Sequence, residues 1–93
     1  MRFLVLAALL LVSAAAAGAE APPGASSCSG CHALRPDVVT PVPRLNGRSA
    51  AELFSQMQTF RSGQRPSTVM GRIAKGFSEA ETQAIAEWYA AAK

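Results

Sequence analysis

The sequence has few of the residues that cross-link small proteins. Its 93 residues include two cysteines and one histidine. A framework of several disulfides is excluded, because two cysteines form at most one bond. A structural zinc site is disfavoured as well, since such a site takes four ligands and no fourth Cys or His exists here. Small chains rarely bury enough apolar surface to be stable alone, so these few residues are expected to hold some other stabilising group.

Strand patterns and a strong charge are also missing. No stretch alternates apolar and polar residues around hairpin turns, so nothing predicts a β-sheet. Nine basic and six acidic residues give a net charge of +3, and most of the basic residues are arginines scattered along the chain. A nucleic-acid partner is not expected, because it calls for a strongly basic stripe. We expect most of these arginines to be solvated, with one or two facing an anionic group or a partner.

Residues 1–19 have the layout of a secretory signal peptide. Arg2 precedes an apolar run over residues 3–12, and small residues ending in Ala17-Gly18-Ala19 follow it. The apolar run is shorter than the about 20 residues that span a membrane. We therefore predict cleavage after Ala19, a single mature domain of residues 20–93, export to the periplasm and no membrane span after cleavage. The alternative is an uncleaved N-terminal anchor.

Helical periodicity predicts an all-α fold with three main helices. The clearest helix begins with a capping box of Ser78 and Glu81. Its apolar residues recur at helical spacing: Ile85, Trp88, Tyr89 and Ala92. A second long helix is predicted over residues 49–62, with Ser49 and Glu52 as its capping box. Its apolar face consists of Leu53, Phe54, Met57 and Phe60.

The remaining segments are short helices and loops. Residues 25–32 have room for about two helical turns, and residues 72–75 for one turn. Residues 35–43 contain three prolines, which predicts an extended loop. Residues 64–70 contain Pro66 and are also predicted to form a loop.

The motif CSGCH, residues 28–32, holds both cysteines and the histidine. A disulfide between Cys28 and Cys31 would close a very small loop and cross-link little. A thiol-redox site would need a βαβ setting that this chain lacks. The C-x-x-C-H spacing is the signature of c-type haem attachment. We predict one haem c, bound by two thioether bonds to Cys28 and Cys31, with His32 as an iron ligand.

A second iron ligand is predicted at Met70. The neutral candidates after residue 19 are Met57 and Met70. The helical spacing of Met57 explains it as a core residue, whereas Met70 lies in a predicted loop where no periodicity accounts for it. A histidine and methionine pair is typical of electron-transfer cytochromes and raises the reduction potential.

The chain resembles class I cytochrome c over nearly all of residues 20–93. The resemblance rests on CSGCH, on PRLNG at residues 43–47 and on TVMGRIAKGFSEAETQAIAEWYAAA at residues 68–92. It implies that the carbonyl of Pro43 accepts a hydrogen bond from His32, which fixes the ring. It also implies that Trp88 and Tyr89 pack the last helix against the first. Ala33, where many members have glycine, and the short first helix depart from the family.

A narrower resemblance lies in FRSGQRPSTVMGRIAKGFSEAE, residues 60–81, which is similar to the cytochrome subunit of flavocytochrome c sulfide dehydrogenase. This implies an electron-transfer subunit that accepts electrons from a sulfide-oxidising flavoprotein, with FAD on that partner, and passes them to a downstream redox acceptor. Such a subunit is not catalytic on its own. The alternative is a free-standing carrier of the cytochrome c4 or c553 type. A haem enzyme or gas sensor is a third possibility, which Met70 disfavours by filling the open iron site.

Overall fold

The computed structural model of the protein describes residues 20–92, and the predicted signal peptide lies outside them. Four helices follow one another along the chain: α1 (Ala25–Cys28), α2 (Ala50–Ser62), α3 (Met70–Lys75) and α4 (Glu79–Ala91). The described residues contain no strand, so the prediction of an all-α fold is confirmed. Two of these helices are long and two are short. No helix within residues 20–92 is both long and apolar enough to cross a membrane.

The first helix is shorter than predicted. The sequence predicts a helix over residues 25–32, whereas α1 ends at Cys28 after four residues. The chain then turns, because the backbone N–H groups of Cys31 and His32 both donate to the carbonyl of Cys28, at 3.2 and 2.8 Å. A helix of one turn is unstable by itself. The position of α1 therefore depends on contacts with the rest of the fold.

Helix α2 (Ala50–Ser62) is capped by Ser49 at its start and by Gly63 at its end. The Ser49 hydroxyl accepts a hydrogen bond from the backbone N–H of Glu52 at 3.0 Å. The second hydrogen bond of the predicted capping box, from the Ser49 N–H to the Glu52 carboxylate, does not form. The Glu52 carboxylate instead accepts a hydrogen bond from Gln56 at 3.2 Å and lies 3.7 Å from Arg48. Gly63 has φ +80°, a left-handed conformation that glycine adopts without the steric cost of a Cβ.

Helix α4 has the complete capping box that the sequence predicts. The Ser78 hydroxyl accepts from the N–H of Glu81 at 3.1 Å, and the Glu81 carboxylate accepts from the N–H of Ser78 at 2.9 Å. The buried face of α4 consists of Thr82, Ile85, Ala86 and Tyr89. This face is rotated from the predicted one, because Trp88 and Ala92 are only half-buried.

A small core holds the fold together, and α2 packs against both α3 and α4. Its buried members are Ala25, Leu53, Ile85, Ala86 and Tyr89. Two of these five residues are alanines, which contribute little apolar surface. The described chain therefore buries few large side chains, and Tyr89, at 1% exposure, is the largest that is fully buried.

Candidate functional site

The two thiols and the histidine of CSGCH lie within a single turn. The hydrogen bond from the N–H of His32 to the carbonyl of Cys28 spans four residues, as in a helix. Residues three and four positions apart then share one side of the turn. Both cysteines are free thiols, with Cys28 half-buried and Cys31 exposed. Burial raises the pKa of the Cys28 thiol.

The histidine is oriented by a residue of the following loop. His32 Nδ1 lies 2.5 Å from the carbonyl oxygen of Pro43, as the family resemblance implies. A carbonyl only accepts, so Nδ1 carries the proton of this hydrogen bond, and Nε2 is the nitrogen left for a metal. Metal-ligating histidines commonly donate their other nitrogen to such an acceptor. The ring is therefore prepared to bind a metal through Nε2.

Helix α1, which carries Cys28, is fixed by a hydrogen bond and a ring contact. The Tyr89 hydroxyl donates to the carbonyl of Ala25 at 2.6 Å, which ties α4 to α1. The ring of Phe77 lies against Gly24, where an added Cβ would come within 2.4 Å of the ring. Gly24 also has φ +87°, so both conformation and space require glycine there. These contacts hold the short helix in place.

The hydroxyl that makes this bond stays protonated over the whole physiological range. Burial, followed by the neighbouring Cys28, raises the pKa of Tyr89 to about 12. The ring of Tyr89 also meets that of Trp88 edge-on, with 4.8 Å between the centroids. Tyr89 thus joins the last helix to the motif-bearing first one, and Trp88 packs against the Tyr89 ring.

The structure places Met70 on a helix rather than in a loop. Met70 is the first residue of α3 and is half-buried. The prediction of a loop over residues 64–70 is wrong at Met70, which is already helical. Next to this first residue, the N–H of Gly71 donates to the Ser67 hydroxyl at 2.8 Å. Helix α3 packs mainly against α2. The pairing of Met70 with His32 across an iron therefore stays a prediction.

Met57 does not occupy the core position that its spacing predicts. It is half-buried on α2 and is not a member of the core cluster, whereas its neighbours Leu53 and Phe54 are part of it or pack against it. The apolar face of α2 is therefore only partly covered by the protein itself.

Exposed apolar side chains lie near both predicted iron ligands in the sequence. The exposed large hydrophobic residues of the described chain are Leu34, Val38, Val39, Val69 and Ile73. The first three follow His32 within seven residues, and the other two flank Met70. Exposed apolar surface can mark a binding site. These residues are therefore candidates for contact with a flat apolar ring such as a porphyrin.

An open depression of about 500 Å³ lies beside the motif. Its lining residues are Ser29, Gly30, Cys31, Ala33, Leu34, Arg35, Val38 and Thr40. Neither His32 nor Met70 lines it, so this depression covers only the Cys31 side of the predicted site.

Three buried polar side chains were not singled out from the sequence. Within residues 20–92, three buried side-chain atoms have no hydrogen-bond partner: Arg44 Nε, Asn46 Oδ1 and Gln58 Nε2. Arg44 directly follows Pro43, whose carbonyl accepts from His32, and Asn46 lies two residues further on. The general expectation that an arginine faces an anionic group was the only signal that could have found Arg44.

The donor set fits a haem c better than a bare metal ion. The described residues contain no group of three or more His, Cys, Asp and Glu side chains that could hold a metal ion. Two free thiols, an oriented imidazole and nearby exposed apolar residues instead match a group that is held by thioether bonds and apolar contacts. These residues would hold the ring through Cys28 and Cys31 and its iron through His32.

Comparison with known proteins points the same way. No protein-family model matches the chain. The cytochrome subunit of sulfide dehydrogenase from Chlorobaculum tepidum is 38% identical over 63 residues, which cover 68% of this chain and 57% of that protein. The thiosulfate dehydrogenase electron acceptor of Thiomonas intermedia is 36% identical over 96 residues, covering 99% of this chain and 44% of that protein.

A thiosulfate dehydrogenase electron acceptor from Stutzerimonas stutzeri is 39% identical over 67 residues, or 68% of this chain and 31% of that protein. The chain thus spans about half the length, or less, of the curated relatives that it matches. Motif, fold and relatives agree, and the chain resembles the cytochrome subunit of sulfide dehydrogenase, as its sequence predicts.

Proposed function

We propose that the chain is an exported monohaem cytochrome c that accepts electrons from a sulfide-oxidising flavoprotein carrying FAD. In this proposal residues 1–19 are removed as a signal peptide, and residues 20–93 form the cytochrome domain in the periplasm. Cys28 and Cys31 hold the haem by thioether bonds, and His32 and Met70 are the iron ligands. The observation that carries the proposal is the CSGCH turn with His32 Nδ1 bound to the Pro43 carbonyl.

The haem would supply a one-electron iron couple, and the residues of the chain would set its surroundings. The Pro43 carbonyl keeps the His32 proton on Nδ1, which leaves Nε2 to the iron. The thioether of Met70 raises the reduction potential when it is paired with a histidine. Leu34, Val38 and the other exposed apolar residues keep water from the ring, which favours the less charged, reduced state.

Docking would use the arginines that flank the segment before α3. The guanidinium carbon of Arg65 lies 4.8 Å from the centroid of the Phe60 ring, so this charge has a fixed position. Arg61 and Arg72 lie on either side of the same segment. Charges at the edge of such a contact govern the rate of association more than the final affinity. An acidic face is therefore expected on the partner.

The proposal is tested with the haem-loaded protein, sulfide and a purified sulfide-oxidising flavoprotein. Oxidation of hydrosulfide to elemental sulfur releases one proton and two electrons, so two haem-loaded chains should be reduced for each sulfide consumed. Stopped-flow absorbance measures the reduction. Haem that stays oxidised in this mixture would refute the flavoprotein as the electron donor.

Charge reversal at Arg65 tests the docking surface. Arg65→Glu should slow the second-order reduction at low salt, and the difference from the wild type should shrink as salt screens the charge. Arg35→Glu is the matched control, because Arg35 is exposed and pairs with Asp37 away from this segment. Equal rates for wild type and Arg65→Glu at low salt would exclude this segment as the docking surface.

A second candidate is a free electron carrier that serves a thiosulfate dehydrogenase. It is supported by two relatives that are named as electron acceptors of that enzyme, one of which matches 99% of this chain. Replacing the flavoprotein by a thiosulfate dehydrogenase with thiosulfate in the same assay separates the two functions. Gel filtration adds a second criterion, because a free carrier forms no stable complex with the flavoprotein.

A further inference from the structure

Arg44 carries a buried hydrogen-bond donor that the protein does not satisfy. Its Nε atom is buried and has no partner among the described residues. The other end of the guanidinium is occupied, because Nη2 donates to the carbonyl of Leu34 at 3.1 Å. A guanidinium keeps its charge at any pH a protein experiences. This side chain is therefore a positioned cation with one free, buried donor.

The location of Arg44 ties it to the predicted haem site. It directly follows Pro43, whose carbonyl oxygen lies 2.5 Å from His32 Nδ1. The carbonyl that holds its Nη2 belongs to Leu34, two residues after His32. The residue before Arg44 and the residue that accepts from its Nη2 are thus both close to His32, the proposed iron ligand, in contact or in sequence.

Two neighbouring arginines form ion pairs with carboxylates of the chain. Arg35 pairs with Asp37 at the surface, and its side chain is 75% exposed. Arg48 lies 3.7 Å from Glu52 on the next turn. Within residues 20–92, no carboxylate lies at ion-pair distance from Arg44. An anion that pairs with Arg44 would therefore have to come from outside these residues.

We propose that the Nε–H of Arg44 binds a propionate carboxylate of the haem and that Arg44 is a positioning residue for this cofactor. The inference rests on the proposed function, because it requires the haem. A haem carries two carboxylates, and a guanidinium binds such groups through short, charge-assisted hydrogen bonds. Gln58 Nε2 is the other buried donor without a partner, but it lies on α2 and no contact places it beside Arg44.

The test compares haem-loaded wild type, Arg44→Gln and Arg44→Lys, with Arg48→Gln as the matched control. Arg48→Gln removes the same charge from a residue whose own ion-pair partner is Glu52 on α2. Three quantities are measured: covalent haem by the pyridine haemochrome spectrum, the propionate bending band by resonance Raman, and the reduction potential. The last two report on the carboxylate and on the charge near the iron, which a merely structural side chain would not alter.

In Arg44→Gln, the haem should remain attached, the propionate band should shift and the potential should fall, because a cation that disfavours ferric iron is lost. Arg44→Lys should restore most of the potential but not the band, since an ammonium lacks the planar geometry of the guanidinium. Arg48→Gln should change neither quantity.

Two outcomes would overturn the inference. An unchanged band and potential in Arg44→Gln, with haem attached, refutes the role of Arg44 and leaves the proposed function intact. Wild type that carries no covalent haem refutes the proposed function and this inference with it. If Arg44→Gln does not mature, Arg44→Lys takes its place, and an unchanged propionate band in that variant is the contradicting result.

Discussion

The two long helices differ from the two segments next to the predicted ligands in how they bury their apolar residues. Helices α2 and α4 are capped by Ser49 and Ser78 and bury apolar residues between them. Residues 33–44 and 64–73 instead expose Val39, which is 97% accessible, together with other large apolar side chains. They also contain the unpartnered donor of Arg44. The first region is held by its own caps and core, although the buried Gln58 Nε2 on α2 has no partner. The second region exposes large apolar side chains and contains the unpartnered Nε of Arg44.

This contrast indicates where the haem of the proposed function would bind. A folded domain ordinarily pairs its buried polar atoms and hides large apolar groups. The exposed large apolar residues follow His32 or flank Met70 in the sequence, and Arg44 follows Pro43, whereas Gln58 lies on α2. A haem would offer an apolar ring to the first group and a carboxylate to Arg44.

The largest predicted effect is loss of the fold when haem cannot attach. Residues 20–93 expressed without a haem attachment system should be largely unfolded, because the core contains few large side chains. Far-UV circular dichroism measures the lost helix, and the haem-loaded chain is the control. A helical apoprotein with a cooperative thermal transition would show that α2 and α4 are stable without the cofactor.

The next effect distinguishes the two methionines. Met70→Ala should keep the covalent haem but lose the sulfur-to-iron charge-transfer band and lower the reduction potential. Met57→Ala should keep the band. Because Met57 is only half-buried, its truncation should cost less than the about 2–5 kcal/mol typical of a fully buried methionine. If Met57→Ala abolishes the band and Met70→Ala keeps it, the ligand assignment is reversed.

Local patterns in the sequence predicted the parts of the fold that short-range chemistry determines. Ser78 with Glu81 predicted a capping box that the structure contains. The helix predicted over residues 25–32 is present only to Cys28, although the N–H of His32 still bonds to the Cys28 carbonyl. These features depend on residues three or four positions apart. Spacing in the sequence is therefore enough to identify them.

Features that depend on tertiary contacts were not predictable. The capping box at Ser49 is one-sided because Gln56 and Arg48 compete for the Glu52 carboxylate. The rotation of the buried face of α4 depends on what it meets across the core. Arg44 could not be singled out among scattered arginines, because only the fold buries its Nε.

A smaller effect is expected from the hydrogen bond that joins α4 to α1. Tyr89→Phe removes the hydroxyl that donates to the Ala25 carbonyl and leaves that carbonyl unpaired in a buried site. The cost should be about 1–3 kcal/mol of unfolding free energy, measured by urea titration of the haem-loaded protein. Burial raises the pKa of Tyr89 above its ordinary value of 10.0, also when Cys28 is a thioether. The wild-type advantage should thus be complete below pH 10 and be lost as the pH rises through the raised pKa.

A loss below about 0.5 kcal/mol for Tyr89→Phe would show that water or another donor replaces the hydroxyl. In that case α1 would be held mainly by the Phe77 ring against Gly24. Phe77→Ala would then be the more damaging variant.

The smallest effect separates the two helix caps with a matched pair of variants. Glu81 and Glu52 both occupy the third position of their helices, so both interact with the helix dipole. Only the Glu81 carboxylate also accepts the N–H of its capping serine. Glu81→Ala should therefore lower the urea midpoint slightly, and Glu52→Ala should lower it less.

The hydrogen bond to the Ser78 backbone lowers the pKa of Glu81 below 4.5. Its contribution should thus be present above pH 4.5 and vanish as the pH falls through the lowered value, which brings the two variants together. A difference that persists at low pH would show that the carboxylate does not act through this bond.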